Sequence, residues 1–344
     1  MNLLRKILFP FAVLYGAVTQ FRNLLFDQNI LTSHSFDVPV IAVGNLSVGG
    51  TGKTPQIEYL IRLLLPHYRV ATLSRGYKRK SKGYILADSS ATAEVLGDEP
   101  FQFYRKFPSV KVAVDANRVN GLSRLLMLDD RPDVILLDDA FQHRQVKAGF
   151  YILLTTYADL YADDFLLPTG NLRESRKGAA RADVIIVTKC PPHLDAAEQQ
   201  AILQKLDINQ NQQLFFSYIG FADVVYSEAG QLDVLAIKPM KKVLLAGIAR
   251  PEPFFEFLQH EQDILLKYPD HHFFSEKELL EIRALANDKL IITTEKDYVR
   301  LQGLLAADKL YYLPIQSEFI AASEQFDNTI LNYVGTSTGN RSVS

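Results

Sequence analysis

The chain has 344 residues, too long for one ordinary core and about right for two. Apolar residues make up 48% and charged residues 22%, the balance of a packed globular protein, and a net charge of −2 excludes the basic surplus of a general nucleic-acid binder. Cys190 is the single cysteine, so an intrachain disulfide is excluded, as suits a reducing compartment. Cys190-Pro-Pro-His193 resembles half a zinc site, but no second ligand pair accompanies it.

The chain opens with twelve uncharged residues, Ile7 to Val18, between Arg5-Lys6 and Arg22. A spanning helix needs roughly 20 apolar residues, so this stretch is too short to cross a bilayer. Ile7, Phe11, Leu14, Val18, Phe21 and Leu25 recur at helical spacing and predict one apolar stripe. A signal peptide begins similarly, but the stripe continues past any cleavage point near Ala17. Two readings stay open: a helix docked on the protein's own core, and, favoured, an interfacial helix whose basic residues suit anionic headgroups.

Strand and helix then alternate. Apolar, β-branched runs predict strands at Val38–Val43, Val70–Leu73, Val110–Val114, Val134–Leu137, Tyr151–Leu154 and Val184–Val187, with the clearest helix at Thr54–Leu65. This is the pattern of an α/β domain with a mostly parallel sheet covered on both faces. The chain turns polar and Gln-rich over Asp195–Asn211, and resumes with strands predicted at Leu214–Tyr218, Val243–Ala246, Ile264–Lys267 and Leu290–Thr293, and helices near Phe254–Gln259 and at Glu276–Ala286. The expected organisation is an anchor helix over residues 1–28 and a P-loop NTPase-like domain over 29–215. A second, smaller α/β unit follows over 216–334, and a small, polar, disordered tail over 335–344.

The strongest motif is Gly44-Asn-Leu-Ser-Val-Gly-Gly-Thr-Gly-Lys-Thr54, after a predicted strand and before a predicted helix. Successive backbone N–H groups in such a loop cradle phosphate oxygens, and the helix adds its positive end. Ser47, Val48, Gly49, Gly50, Thr51, Gly52, Lys53 and Thr54 form the expected nucleotide loop, with Lys53 on the β- and γ-phosphates and the Thr54 hydroxyl on Mg²⁺. Ser47 stands where the usual pattern has its first glycine; Gly49, Gly50 and Gly52 keep the turn flexible. A magnesium carboxylate is expected at the end of a neighbouring strand, and Val134-Ile-Leu-Leu-Asp138-Asp139 supplies two candidates. Thr188-Lys189-Cys190 resembles the start of a guanine-recognition element, but Pro191 stands where the base-reading aspartate belongs, so ATP is favoured. The dimeric switch ATPases carry a lysine where this chain has Val48, which weakens that alternative.

Four segments together resemble the tetraacyldisaccharide 4′-kinase family of lipid A biosynthesis: Gly44-Asn45…Gly49-Gly50-Thr-Gly-Lys-Thr-Pro55, Ser74-Arg-Gly-Tyr77, Gly97-Asp-Glu-Pro100 and Asp138-Asp-Ala-Phe-Gln-His143. Leu172-Arg-Glu174, Pro269-Asp-His271 and Thr294-Glu-Lys-Asp297 add to it. Ser175 and Tyr298 depart mildly from the family pattern. The resemblance implies ATP-dependent phosphorylation of the 4′-hydroxyl of an acylated glucosamine disaccharide 1-phosphate, giving lipid IVA. It also implies an N-terminal membrane helix and two lobes with the site between them. The enzyme is expected at the cytoplasmic face of the inner membrane, and no obligate protein partner is evident. By residue type, Asp98 and Glu99 read equally as helix-terminal carboxylates before Pro100. The resemblance implies Asp98 as the base, Glu99 as a magnesium or positioning carboxylate, and His271, rather than His272, as the partner of Asp98. Arg75, Lys78, Arg79, Lys80 and Lys82 crowd one loop, read either as a solvated face or as a cradle for the substrate's phosphate. Arg118 and Arg173 are phosphate candidates, and Asn45, Tyr77, Gln142 and His143 are candidates for holding the substrate.

Overall fold

The computed structural model describes residues 5, 7–270 and 272–339. The chain divides into two compact units: the first runs to Ile219 and resumes at Ser317, and the second is Gly220–Gln316.

In the first unit, helix α1 (Phe9–Asp27) has Pro10 in its first turn, where a missing N–H costs nothing. There follow β1 (Val40–Asn45), α2 (Lys53–Leu64), β2 (Val70–Ser74), β3 (Ile85–Leu86), the short α3 (Ala93–Leu96), α4 (Asp98–Lys106), β4 (Lys111–Val114), α5 (Arg118–Leu126), β5 (Val134–Asp138), β6 (Phe150–Thr156), β7 (Val184–Thr188), α6 (Ala196–Leu206) and β8 (Gln213–Phe221). With β15 (Ile315–Phe319), which returns from the second unit, the sheet has the order β15-β8-β7-β6-β1-β5-β2-β4-β3. It is parallel from β8 to β4, with β3 antiparallel at the edge. Side chains alternate across it: Ile41 and Val43 pack with Ile57, Ile61 and Leu64 on one face, and Val40 and Ala42 pack with Ala71, Leu122 and Leu137 on the other. Burial on both faces is why these strands read as continuous apolar runs.

The second unit holds β9 (Val224–Ser227), β10 (Gly230–Asp233), α7 (Val234–Ile237), β11 (Lys242–Ala246), α8 (Glu252–Leu258), β12 (Ile264–Lys267), α9 (Glu276–Ala286), β13 (Leu290–Thr294), α10 (Glu295–Leu301) and β14 (Leu310–Leu313). Its sheet order is β10-β9-β14-β13-β11-β12, with β14, β13, β11 and β12 mutually parallel. β15 (Ile315–Phe319) leads back to the first unit, which ends in α11 (Ser323–Gly339).

The domain limits read from the sequence need correction. Residues 317–334 belong to the first unit, not the second, because Phe326, Ile330 and Val334 of α11 are fully buried against Leu64, Phe107 and Phe215. That partnership joins segments more than a hundred residues apart, which local patterning does not reveal. The helix also runs on to Gly339, so 335–339 are not a disordered tail; 340–344 lie outside the described residues. The polar stretch 195–211 contains α6, capped by the Asp195 carboxylate on Glu198 N–H at 2.8 Å and anchored by Ile202 and Leu206.

Helix α1 docks on the first unit, as one of the two readings of the amino terminus expects. Ala12, Gly16 and Phe26 are buried against the first unit, and Tyr15, Thr19 and Asn23 lie on the same stripe, half-buried. The predicted apolar stripe faces the other way: Ile7, Phe11, Leu14, Val18 and Phe21 are all more than 60% exposed. Among the described residues, no helix is long and apolar enough to cross a membrane.

Candidate active site

In an open α/β sheet the ligand crevice lies at the carboxyl ends of the strands. Here Val43 of β1 is in register with Asp138 of β5, so the loop after β1 and the aspartate pair emerge side by side. The loop needs glycine at Gly49 (φ 114°) and Gly52 (φ 84°), a left-handed region that side-chain-bearing residues rarely adopt. Three contacts hold it: Val48 N–H donates to Asn171 O at 2.8 Å, Thr188 Oγ1 to Thr51 O at 2.8 Å, and Lys189 Nζ to Gly50 O at 2.5 Å. Ser47 pairs with Leu172 in an isolated antiparallel bridge, so a residue with a side chain suits the position where the glycine was expected.

Lys53, the first residue of α2, reaches back to Asn45 Oδ1 at 3.4 Å and to Asp139 Oδ1 at 3.6 Å. Arg173 grips the same carboxylate with both terminal nitrogens, at 2.8 and 3.1 Å, and donates to both Asn45 oxygens. Asp139 has φ 48°, which turns the chain sharply after β5 and places Phe141 against Gly44; a Cβ added at Gly44 would lie 2.6 Å from that of Phe141.

The two aspartates therefore differ. Burial works to raise both. For Asp139 the Arg173 hydrogen bonds and Lys53 prevail and hold its pKa down to about 2. Asp138 has one long bond, from Ser74 Oγ at 3.4 Å, and burial together with Asp139 and Glu99 pushes it up to about 6. Arg118 is buried, donates to Asp115 O at 2.6 Å and Asp138 O at 3.3 Å, and burial lowers its pKa to about 10. His143 is lowered to about 4 by burial and by Arg118 and Arg75, so its ring is neutral at pH 7.

Asp98 and Glu99 open α4 and are exposed. Gly97 (φ 94°) and Gly76 (φ 71°) pack backbone to backbone; a Cβ on Gly97 would meet Tyr77 O at 3.1 Å. This ties the Ser74–Tyr77 loop to the Asp98 turn. Arg75 and Tyr77 are exposed, and Lys78 stacks over the Tyr77 ring at 5.4 Å.

His271 lies outside the described residues. Its neighbour His272 is committed within the second unit: Nε2 lies 2.9 Å from Glu278 Oε1, and the ring stacks on Tyr268 at 4.8 Å and meets Phe274 edge-on at 5.0 Å. Thr294-Glu-Lys-Asp297 is a structural device: Thr294 caps α10, and buried Asp297 accepts from Gly247 N–H at 2.8 Å.

Among the described residues, no group of three or more His, Cys, Asp and Glu side chains is placed to hold a metal. The set Asp138, Asp139 and Glu99 is thus not a ready-made cage, because Asp139 is already taken by Arg173 and Lys53. Sequence reasoning also missed Glu174 and Arg181. Glu174 is buried and accepts two 2.9 Å bonds from Arg181 and one from Gln142 Nε2, which also donates to Asn45 O. A charged residue directly after Arg173 was the available signal.

Comparison with known proteins agrees with this geometry. Residues 4–335 match the family model described as tetraacyldisaccharide-1-P 4′-kinase. A tetraacyldisaccharide 4′-kinase from Flavobacterium johnsoniae is 63% identical over 97% of this chain and 98% of its own length. One from Bacteroides thetaiotaomicron is 44% identical over 99% and 96%. A crystal structure of LpxK from Aquifex aeolicus in complex with ATP superposes with a TM-score of 0.76, at 31% identity over 96% of this chain and all of that one. The chain belongs to the tetraacyldisaccharide 4′-kinase family.

Proposed function

We propose that this protein transfers the γ-phosphoryl group of ATP to the 4′-hydroxyl of a tetraacylated glucosamine disaccharide 1-phosphate. The observation that carries the reading is the coincidence of a family match over residues 4–335 with a phosphate loop set beside an aspartate pair on the adjacent strand.

The loop Ser47–Thr54 binds the ATP phosphates through backbone N–H groups, and Lys53 places its charge on the transferring group. The residues fit a magnesium ion, since at the Asp138 carboxylate burial, Asp139 and Glu99 outweigh the pull of Lys53 and Arg118. Thr54 and Asp138 would hold the ion, with Glu99 near enough to act on Asp138; Mg²⁺ in such sites also draws on phosphate oxygens and water. When bound, it would supply positive charge to offset the negative charge that develops on the transferring phosphate. Asp139 acts differently, locking Lys53 and Arg173 beside Asn45.

Asp98 takes the proton of the 4′-hydroxyl, and His271 is the histidine that the family resemblance assigns to catalysis. The choice of His271 is supported by the commitment of His272 to Glu278, Tyr268 and Phe274. Arg75, Arg118 and Tyr77 take the phosphate and sugar of the lipid. Neutral His143, Gln142 and Asn45 add hydrogen bonds; Gln142 Oε1 and Asn45 Nδ2 are buried with no partner among the described residues. The exposed apolar face of α1 lies in the headgroup region of the inner membrane's cytoplasmic face.

Incubation with γ-labelled ATP and the acylated disaccharide 1-phosphate tests the reading. A labelled lipid product supports it. ATP hydrolysis with no labelled lipid, or a nucleotide-dependent dimer without turnover, sinks it.

A further inference from the structure

Helix α1 touches more than core. Its docked stripe carries two side chains that hydrogen-bond beyond the helix, and both end on the segment that braces the phosphate site. Tyr15 Oη donates to Arg173 O at 2.7 Å, and Asn23 Nδ2 donates to Glu174 Oε2 at 3.1 Å. The approach is close: a Cβ added at Gly16, between them on the stripe, would lie 2.6 Å from Leu166 Cδ1. Arg144 closes the far end, donating to Asn23 O at 2.8 Å and pairing with Asp27 at 2.6 Å.

From these two anchors the contacts run directly to the site. The Arg173 side chain holds Asp139 and Asn45, and its N–H donates to Leu46 O at 2.7 Å. Glu174 holds Gln142, which holds Asn45 O. Asn45 and Asp139 are the two groups that Lys53 reaches. A bilayer needs neither a tyrosine hydroxyl nor an asparagine on the face turned away from it, and those polar groups lie opposite the exposed apolar stripe.

We propose that Tyr15 and Asn23 are positioning residues for phosphoryl transfer. They hold the backbone of Arg173 and the carboxylate of Glu174, so that these in turn fix Asp139 and Asn45 around Lys53. This rests on the reading of Lys53, Asn45 and Asp139 given above.

The test uses the full-length protein and three variants: Tyr15→Phe, which keeps the ring and removes one hydroxyl, Asn23→Ala, and Asn23→Asp, which sets a second carboxylate against Glu174. All are assayed with ATP and the acylated disaccharide 1-phosphate, and for co-sedimentation with phosphatidylethanolamine–phosphatidylglycerol vesicles. Tyr15→Phe and Asn23→Ala should each lower kcat about three- to tenfold, the scale of one hydrogen bond, and Asn23→Asp should lower it further. Vesicle binding should be unchanged. In the ligand-free variants the Arg173 amide should exchange hydrogen faster. Tyr15→Phe should have little effect on kcat in an Arg173→Ala background, because its influence passes through that side chain.

Three results overturn the proposal: variants that match the wild-type kcat and Arg173 exchange, variants that lose vesicle binding in step with activity, or a Tyr15→Phe cost that is the same with and without Arg173. An inactive wild-type protein would instead strike at the kinase reading itself, so the two failures are distinguishable.

Discussion

Replacing Asp138 with asparagine should make the ligand-free protein more stable while abolishing turnover. Burial, Asp139 and Glu99 raise the Asp138 pKa from 3.8 to about 6. In the unfolded chain the group ionises near its ordinary value, so above pH 6 the native state carries a charge that it disfavours. A displacement of about two units corresponds to roughly 3 kcal/mol. The sign follows from the direction: a raised carboxylate pKa favours folding at low pH, and that advantage is lost as pH climbs from about 4 to 6. Asparagine is nearly isosteric and uncharged, so it escapes the penalty. Thermal melts with a chelator and no nucleotide should show Asp138→Asn melting several degrees above wild type at pH 8, on the ~2–4 °C per kcal/mol expected of a domain this size. The gap should close below about pH 4, where the wild-type carboxyl is neutral in both states. Equal melting at pH 8, or a gap that ignores pH, would refute the claim that burial, Asp139 and Glu99 outweigh Lys53 and Arg118 at Asp138.

Three further outcomes are expected. Lys53→Ala removes a fixed positive charge from the transferring group and should lower kcat by roughly a hundredfold or more; near-wild-type turnover in the folded variant would remove the phosphate-loop reading. Asp98→Ala should cut kcat by about 10²–10⁴ with little change in the KM for ATP; if Asp98 and His271 act as one unit, adding His271→Ala should make it scarcely worse, whereas multiplying losses would mean separate jobs. Phe11→Glu with Phe21→Glu, both on the exposed face of α1, should abolish co-sedimentation with anionic vesicles and leave the melting temperature unchanged; a fall in melting temperature would mean that this face is covered by protein.

The parallel sheet was legible because its strands are buried on both faces, so each appears as an unbroken apolar run: Val184–Val187 predicted the strand Val184–Thr188 almost to the residue. The Glu276–Ala286 helix was legible to both ends, and Ser275 and Glu278 form a reciprocal capping box at its start. What sequence hid was long-range. Nothing local in Phe326, Ile330 and Val334 says that their helix returns to the first unit, and the two-residue β3 is too short to signal itself. For α1 the periodicity was sound but its direction was not. An apolar stripe looks like a core-facing surface, yet here the close approach is made by Ala12 and Gly16, and the large apolar residues face outward. The site was legible wherever chemistry demands a residue type in a fixed local frame, as at Lys53 and the aspartate pair. Glu174 was missed because its meaning lies in partners 7, 32 and 151 residues away.

Why two adjacent aspartates should do different work follows from the backbone. Asp138 is the last residue of β5 and keeps the strand's direction, in register with Val43 at the mouth of the phosphate loop. One residue later the chain takes a left-handed turn at Asp139, which delivers the second carboxylate to Arg173 and Lys53. Like charges so close repel, and the repulsion is resolved unevenly: the arginine and lysine keep Asp139 ionised, and its field helps to raise Asp138. Exchanging the two roles would require moving Arg173 across the strand end, and Arg173 is itself fixed through Leu46 and Tyr15. The left-handed turn therefore decides which aspartate holds the lysine and arginine and which keeps a raised pKa at the strand end.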